Sequence, residues 1–286
     1  MGIPTIKSGR FQAGADFQCG ENVVINVAEE VVVGDRVRLP DNCYIEGRRV
    51  KIGNDFYGYD WEWRRLDIGR GRIDEEDAIL KVGDCCTFHD NRIDLARHVT
   101  IGYYVGLSPE VAIYTHYYWM SPLEGFPMKY APVQLGDGTI AGFRSVFLPG
   151  SDTDRGVVVG ANSTVSGYLE GYAIYGGNPA KWMGDVNEVS VIAEYPESPN
   201  WKEDKILDLI EEYRQTVRYR NLTQIDGLVT YKLLIGGPNF TINAENGTLE
   251  GDETPETDDL RDFLFKHGIR IYTERPFRKL PRRVGK

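Results

Sequence analysis

The chain has 286 residues, a net charge of −10 and 41% hydrophobic residues, enough for one sizeable core and a second small one. The acidic charge argues against general binding to nucleic acid or anionic membranes. No run of about 18 apolar residues occurs, so we expect no membrane span. The start, MGIPTIKSGRFQ, lacks the apolar segment of a signal peptide, and the four cysteines form no CxxC pair. These features favour a reduced, cytoplasmic protein.

A period of six residues runs through the first two thirds of the chain. Large inward candidates recur at this spacing, and most are followed four residues later by a smaller or β-branched residue. The large members are Val27, Val33, Leu39, Ile45, Leu95, Ile101, Leu107, Ile113, Leu135, Ala141, Phe147, Thr153, Val159 and Val165. Six is not a helical period, but two inward positions in every six residues fit a short strand followed by a tight turn.

Three such strands make a triangular coil of about 18 residues, and stacked coils bury the aliphatic positions between them. The recurring Gly and Asp, as in VGD and IGN, then serve the corners. The alternative is a β-sandwich in which the spacing is accidental. The repeat is interrupted at 56–78 and at 114–134, and such loops often carry the function of a repeat protein.

The second interruption opens with the segment AIYTHYYWMSP at 112–122, which contains His116. Three roles are open for this histidine: a packed core residue, a metal ligand or a catalytic base. Nearby aromatic residues form either loop packing or a wall on which a sugar ring stacks. They are Tyr117, Tyr118 and Trp119, together with Tyr57, Tyr59, Trp61 and Trp63 of the first interruption.

Three features resemble the hexapeptide-repeat acyltransferases: the THYY loop, the repeat run at 135–184 and its ending GGNPAKWMG. Within them, the resemblance is to the maltose, galactoside and nodulation-factor O-acetyltransferases and related polysaccharide acetyltransferases, and it covers about 20–190. It implies a mainly β fold, a left-handed parallel β-helix over 1–190 with an excursion loop. The segment 191–286 lies outside the resemblance and is predicted to be a helix followed by a small α+β module.

The same resemblance implies that His116 is the general base, which removes the proton of an acceptor hydroxyl as its oxygen attacks the thioester of acetyl-CoA. An imidazole suits this role near neutral pH. The family needs no metal and no covalent acyl-enzyme. The coil before the loop contributes an acceptor contact, here Asp90 or its neighbours His89 and Asn91, and the choice among the three stays open.

For the coenzyme, the resemblance implies a groove along Gly142, Phe143 and Ala161, with Lys181 as the partner of a CoA phosphate. Arg144 or Arg155 could add to a local positive charge. The sequence departs from the family in two places. Ile140 stands where an aromatic residue is common, and Phe143 is larger than the usual small residue.

Several alternatives remain beside this interpretation. The γ-class carbonic anhydrases share the fold and bind zinc through three histidines, and His89, His98 and His116 are the candidates here. The second loop has no further histidine after His116, so we expect no metal. The acceptor is expected to be a saccharide hydroxyl; an amine on an amino sugar or nucleotide sugar, or a non-catalytic scaffold, are the alternatives. A homotrimer is implied, with sites between subunits.

The last hundred residues lack the hexad pattern. A helical face begins at Trp201 in NWKEDKILDLIEEYRQTVRYR, of the kind with which family members often close the coil. Strand patterns follow at 228–235 and 240–251, the latter with an Asn-Gly hairpin signal. A helix at 257–268, ended by His267 and Gly268, and a strand at 269–274 complete the module. The basic tail 275–286 is a solvated tail or, alternatively, a contact for CoA phosphates or an anionic acceptor such as nucleic acid.

Overall fold

The computed structural model describes residues 2–15, 17–59, 65–118, 120–186, 201–219, 225, 227–245, 247–252, 254–267, 269 and 271. The chain divides into two compact units, 1–192 and 193–286. Trp61, Trp63 and Trp119, most of the predicted strand 269–274 and the basic tail 275–286 lie outside the described residues.

The first unit is a parallel β-helix of about eight coils, as the hexad spacing predicts. Coils one to three contain β1 (Thr5–Ala13), β2 (Gln18–Cys19), β3 (Val24–Val33), β4 (Arg38–Leu39), β5 (Tyr44–Ile52) and β6 (Tyr57–Gly58). Coils four and five contain β7 (Asp67–Ile68), β8 (Ile79–Val82), β9 (Thr87–Phe88), β10 (Arg92–Ile93), β11 (Val99–Ile101) and β12 (Gly106–Leu107).

The sixth coil carries the long excursion. It contains β13 (Ala112–Ile113), β14 (His116–Tyr117), a 3-10 helix (Pro122–Glu124), β15 (Lys129–Tyr130), β16 (Val133–Leu135) and β17 (Ile140–Ala141). The last two coils contain β18 (Val146–Phe147), β19 (Asp152–Thr153), β20 (Val158–Val159), β21 (Thr164–Val165), β22 (Tyr168–Leu169), β23 (Ala173–Gly176) and β24 (Lys181–Asp185). β24 turns back antiparallel to β23 and ends the series.

Each coil contributes to three faces. The first face is the row β7, β10, β13, β18 and β21; the second is β8, β11, β16, β19 and β22; the third is β6, β9, β12, β17, β20 and β23. β5 pairs with β7 through its first residues and with β8 through its last, so one strand bends from the first face to the second. We call the bend between the first and second faces the first corner, and that between the third and first faces the third corner.

The predicted inward residues form the core of this unit. Every large hexad residue named above is no more than 2% exposed. Parallel registers stack them: Ile93 lies beside Ile113, and Phe147 lies between Ile113 and Val165. This coil-on-coil pairing excludes the β-sandwich alternative.

The Gly-Asp pairs work at the corners, as expected. Asp84 Oδ1 accepts a hydrogen bond from the Asn54 backbone N–H at 2.7 Å, and Asn54 Oδ1 accepts one from Asp35 N–H at 2.9 Å. A Cβ on Gly53 would lie 2.7 Å from the backbone nitrogen of Asp84. Glycine therefore allows neighbouring coils to approach, and the side chain after it bonds the previous coil.

The first interruption is not one loop, which corrects the prediction for 56–78. Leu66 and Ile68 are buried core residues, and β7 divides the segment in two. Residues 59, 65 and 66 lie at the third corner, and residues 69–78 lie at the first corner. The second interruption also leaves at the first corner, after β13. The loops of the fourth and sixth coils therefore flank the corner of the fifth.

The second unit has its own core. It contains α1 (Trp201–Tyr219), β25 (Val229–Tyr231), β26 (Leu234–Gly237), β27 (Phe240–Asn243), β28 (Thr248–Gly251) and α2 (Pro255–Lys266). The buried face of α1 packs with these elements, in a cluster that includes Ile210, Ile242 and Leu264. The predicted single strand at 228–235 is a hairpin, because Lys232 adopts φ 53° and reverses the chain.

The ends of the C-terminal elements follow the sequence signals. The second strand prediction is confirmed as a hairpin, with β27 antiparallel to β28. His267 Nδ1 lies 2.8 Å from the carbonyl oxygen of Phe263 in the last turn of α2, where a histidine complements the helix terminus. Within the described part of the chain, neither helix has the length and apolar character that crossing a membrane requires.

Replacing Phe147 by Ala should lower the free energy of unfolding by about 3–5 kcal/mol, because it leaves a cavity between two stacked coils. Urea unfolding followed by circular dichroism measures the change. Phe126→Ala is the matched control, since this side chain is 44% exposed, and it should change the free energy by less than about 0.5 kcal/mol. Equal effects of the two substitutions would contradict the stacked core.

Candidate active site

Three consecutive coils bring polar side chains together at the first corner. Ile68, Ile93 and Ile113 lie side by side in register, so the residues that follow them also become neighbours. The loop of the fourth coil supplies Arg72, the corner of the fifth supplies Asp94, and the loop of the sixth supplies His116. None of these three is adjacent in sequence. The register makes their coils neighbours, and the turn of the loop at 69–78 brings Arg72 to the corner.

His116 is bonded to Asp94 through one ring nitrogen. Its Nδ1 lies 2.7 Å from Asp94 Oδ2, and the two side chains are 21% and 11% exposed. A carboxylate can only accept, so Nδ1 carries the hydrogen and, in the neutral ring, Nε2 keeps the lone pair. The arrangement orients a base whose reactive nitrogen is Nε2, as in the histidine–aspartate pairs of hydrolases.

Asp94 is held by several donors besides His116. The hydroxyl and backbone N–H of Thr115 both donate to Oδ2, the latter at 3.2 Å, and Arg72 Nε donates to Oδ1 at 2.9 Å. Burial alone would raise the pKa of Asp94, but the hydrogen bonds from Thr115 and His116 and the charges of His116 and Arg72 outweigh it. The pKa of Asp94 therefore lies below its usual value, and the carboxylate is ionised at neutral pH.

Arg72 also contacts the imidazole itself. Its Nη2 lies 3.0 Å from His116 Nε2 and 3.3 Å from Nδ1. The loop that carries it is fixed from below, since the buried Glu46 carboxylate accepts a hydrogen bond from Gly71 N–H at 2.8 Å. Glu75 lies 3.6 Å from Nη1 on the outer side. A guanidinium thus lies over the face of the imidazole, close to both ring nitrogens.

An aromatic wall stands beside His116. The hairpin of β14 and β15 pairs His116 with Tyr130, whose ring stacks on the imidazole with centroids 5.4 Å apart. Tyr118 stacks on Tyr130 at 5.8 Å and is 54% exposed. Tyr59 of the first interruption lies instead at the third corner, stacked on His89 at 4.7 Å. The described aromatic residues therefore belong to two separate groups rather than to one wall.

The predicted acceptor contacts lie at the third corner, before β10, whereas His116 follows β13 on the far side of the first face. Asn91 is 1% exposed; its amide accepts from His89 N–H at 2.7 Å and donates to the Ser108 carbonyl at 2.8 Å. Burial lowers the pKa of His89, partly opposed by the charge of Asp90, so its ring is neutral at pH 7. Asn91 is thus engaged in holding its own corner.

A polar cavity of about 490 Å³ opens on the first face between these two groups. Its lining includes Asp90 and Asn91 but neither His89 nor His116, and it reaches Tyr114, two residues before the histidine. The other lining residues are Arg65, Asp67, Arg92, Glu110, Val111 and Ala112. The cavity is therefore a place where a polar ligand can lie along the first face towards the first corner.

The predicted coenzyme residues gather where the third face ends. Phe143 accepts a hydrogen bond from Asn162 N–H at 2.8 Å, next to Ala161, and a Cβ on Gly142 would lie 2.6 Å from Ala161 N. Coil stacking alone therefore requires Gly142. Phe143, Ala161 and Lys181 are exposed, so their side chains are accessible to a ligand.

The two arginines that the sequence offers beside Lys181 differ in whether their charge is already paired. Arg144 stacks over the Phe143 ring at 4.8 Å and is ion-paired with Glu110, whereas Arg155 is exposed at a turn. No cluster of three His, Cys, Asp or Glu side chains that could hold a metal ion occurs in the described parts of the chain. Among the histidines weighed as ligands, His98 is instead paired with Asp77 at 3.2 Å.

Sequence reasoning did not identify Asp94, Arg72 or Thr115. One signal was available for Asp94: it directly follows the inward Ile93 and precedes His116 by one coil and a few residues. Counting coils would have placed Asp94 next to the loop that carries His116. Arg72 carried no comparable signal, because its position depends on how the loop at 69–78 turns.

No protein-family model and no curated protein matches the chain. Among solved structures, a maltose O-acetyltransferase from Clostridium difficile 630 is 17% identical over 63% of this chain and 68% of its own, with a TM-score of 0.29. A galactoside acetyltransferase in complex with coenzyme A is 15% identical over 52% of this chain and 70% of its own, with a TM-score of 0.34. LpxA from Acinetobacter baumannii is 20% identical over 77% and 84%, with a TM-score of 0.43. At such values, conclusions about chemistry depend on the geometry of the corner itself.

The low pKa of Asp94 predicts a pH-dependent contribution to stability. A carboxyl whose pKa is lower in the folded than in the unfolded chain stabilises the fold above about pH 4, and this is lost as pH falls through the folded value. Asp94→Asn should therefore destabilise the protein more at pH 7 than at pH 3, measured by urea unfolding. Thr115→Val keeps the carboxylate but removes its hydroxyl donor, so the acid loss should be smaller and should end at higher pH. A wild-type-to-Asn difference that is constant from pH 7 to pH 3 would contradict this role.

Proposed function

We propose that the protein is an acetyl-CoA-dependent acetyltransferase in which His116 is the general base. The observation that carries the proposal is the 2.7 Å contact between His116 Nδ1 and Asp94, which leaves Nε2 as the proton acceptor at a loop on the surface of the solenoid. Asp94 is a positioning residue: it fixes the tautomer and stabilises the imidazolium that forms.

Acetyl-CoA would supply the acetyl group as a thioester. His116 Nε2 takes the proton of the acceptor hydroxyl as its oxygen bonds to the acetyl carbonyl carbon. The carbon–sulfur bond then breaks, and the leaving thiolate takes the proton from the imidazolium. The histidine is thereby regenerated, and neither a metal nor a covalent acyl-enzyme is needed. The exposed Phe143, Ala161 and Lys181 are the residues that would hold the coenzyme.

The proposed acceptor is a hydroxyl of a saccharide or sugar-containing molecule. Exposed tyrosines beside His116 suit the apolar face of a sugar ring, and the polar cavity on the first face suits its hydroxyls. A hydroxyl also needs a base more than a neutral amine does, because a neutral amine is already nucleophilic through its lone pair, whereas a neutral hydroxyl is a poor nucleophile. Asp90, with His89 and Asn91 behind it, would contact the acceptor from the third corner.

The proposal includes a homotrimer in the cytoplasm. Exposed apolar side chains such as Ile140, Phe143 and Trp182, each more than a third exposed, favour burial of part of this unit against another copy. All four cysteines are free, which suits a reducing compartment. Light scattering of the purified protein tests the assembly.

Replacing His116 by Ala should lower acetyl transfer by about 10²–10⁴-fold, the usual contribution of a general base. The assay follows acetyl-CoA consumption against a panel of sugars, nucleotide sugars and amino sugars, with the acetylated position mapped in any product. His98→Ala is the matched control, because that side chain is 42% exposed and paired only with Asp77 among the described residues, and its rate should stay normal.

Near-normal turnover of the His116→Ala variant would exclude the mechanism. Coenzyme binding distinguishes the enzyme from a non-catalytic scaffold. Thermal stabilisation by millimolar CoA supports the enzyme, and no stabilisation supports the scaffold. Lys181→Ala should weaken that stabilisation while leaving the melting temperature of the free protein unchanged.

A further inference from the structure

A guanidinium against the imidazole is not required by a simple histidine–aspartate pair. The Nη2 of Arg72 lies 3.0 Å from His116 Nε2 and 3.3 Å from Nδ1, over the face of the ring. Two hydrogen bonds fix the loop around Arg72. The Glu46 carboxylate accepts one from Gly71 N–H, and Arg72 N–H donates one to the Gly69 carbonyl at 3.0 Å. The side chain is only 22% exposed, so it is not a loose surface arginine.

The charges at this corner do not balance once His116 takes a proton. One carboxylate, Asp94, then serves two cations, since Oδ2 faces the imidazolium and Oδ1 faces the guanidinium. The imidazolium and the guanidinium would stand about 3 Å apart, and like charges at such a distance repel each other. Glu75 neutralises little of this positive charge, because it lies 3.6 Å from Arg72 Nη1 and is 41% exposed to solvent.

A second guanidinium adds to this positive character. Arg97 stacks over the Tyr130 ring at 4.9 Å, and Tyr130 stacks on His116. Two arginines therefore lie near the one carboxylate that His116 contacts, in a chain whose net charge is −10. An anion that reached Arg72 would restore the balance.

We propose that Arg72 determines acceptor specificity, by selecting an acceptor that carries a carboxylate or a phosphate close to the reacting hydroxyl. This rests on the proposed acetyl transfer at His116. A guanidinium has five N–H donors in a planar fork, of which Asp94 takes the Nε one, so a fork remains for two oxygens of an anion. With a neutral acceptor, the positive charge of Arg72 beside the imidazole stays unbalanced and proton transfer is slow.

Binding without coenzyme tests the proposal first. The full chain, labelled with ¹⁵N-histidine, is titrated with glucuronate, glucose 6-phosphate and methyl glucoside, and the ring signals of His116 are followed. At least one charged sugar should perturb His116 at about a tenth of the concentration that methyl glucoside needs, and the two charged sugars distinguish carboxylate from phosphate. Equal responses to charged and neutral sugars, or no response to either anion, would overturn it.

Substitution of Arg72 provides the second arm. Arg72→Gln should weaken binding of the preferred charged sugar by about 10- to 100-fold, the range for a lost hydrogen bond to a charged group, without weakening methyl glucoside. Arg72→Lys should keep part of the preference, because the charge remains without the fork. Arg70→Gln, in the same loop but 53% exposed, is the matched control and should keep the wild-type preference. If the Arg72→Gln variant still preferred the charged sugar over methyl glucoside, the proposed role of Arg72 would be wrong.

Kinetics separate this inference from the function on which it rests. With acetyl-CoA present, kcat/KM should favour the charged sugar in the wild type, and Arg72→Gln should remove that preference. A purely structural Arg72 would instead lower all acceptors equally, which would overturn the inference. Rapid acetylation of neutral sugars would keep the proposed function but contradict the role of Arg72. Anion binding without any acetyl transfer would contradict the function alone.

Discussion

In-register parallel pairing between successive coils is the constraint on which the fold and the site both depend. Backbone N–H groups of the short strands donate to the coil beside them, as Arg92 N–H does to the Val111 carbonyl, so no coil can slip without losing a row of hydrogen bonds and unstacking its inward residues. Ile68, Ile93 and Ile113 are three members of one such row. An insertion must therefore leave and rejoin at a corner, and this fixes where loops of distant sequence can meet.

The core was predictable because the repeat carries the same information many times. Each coil needs two inward apolar positions per face. The resulting six-residue repeat recurs so many times that chance rarely produces it. The prediction was wrong where a coil offers too few residues. β7 is only Asp67–Ile68, between an arginine-rich segment and a glycine, so no periodicity could separate it from the loops on either side. Its strand character comes from its partners β5 and β10, which local sequence does not show.

The same limit applied to the hairpin in the second unit. The run at 228–235 alternates well enough for one strand, but Lys232 takes a left-handed conformation and the chain reverses. Lysine is not a residue that marks such a turn, whereas the Gly at 247 with Asn before it was a usable signal.

Of the candidate site, the position of His116 was predictable and its surroundings were not. His116 stands out because it breaks the hexad register at a loop. Asp94 and Arg72 belong to other coils, and their contact with it requires knowledge of which coils are neighbours and how the loop at 69–78 folds back. For Gly142, a structural requirement was interpreted as a functional one. Its small size was assigned to coenzyme binding, although the close approach of Ala161 in the next coil already requires glycine there.

The shared carboxylate makes the strength of the base a property of the complex rather than of the protein alone. In a simple pair, the whole charge of the aspartate supports the imidazolium. Here Asp94 divides its two oxygens between His116 and Arg72, so whatever binds the guanidinium also decides how much of that charge His116 can use. An acceptor with its own negative group would therefore complete the catalytic arrangement as it binds. Recognition and proton transfer then depend on the same contact, and a neutral molecule of the same shape would lose both.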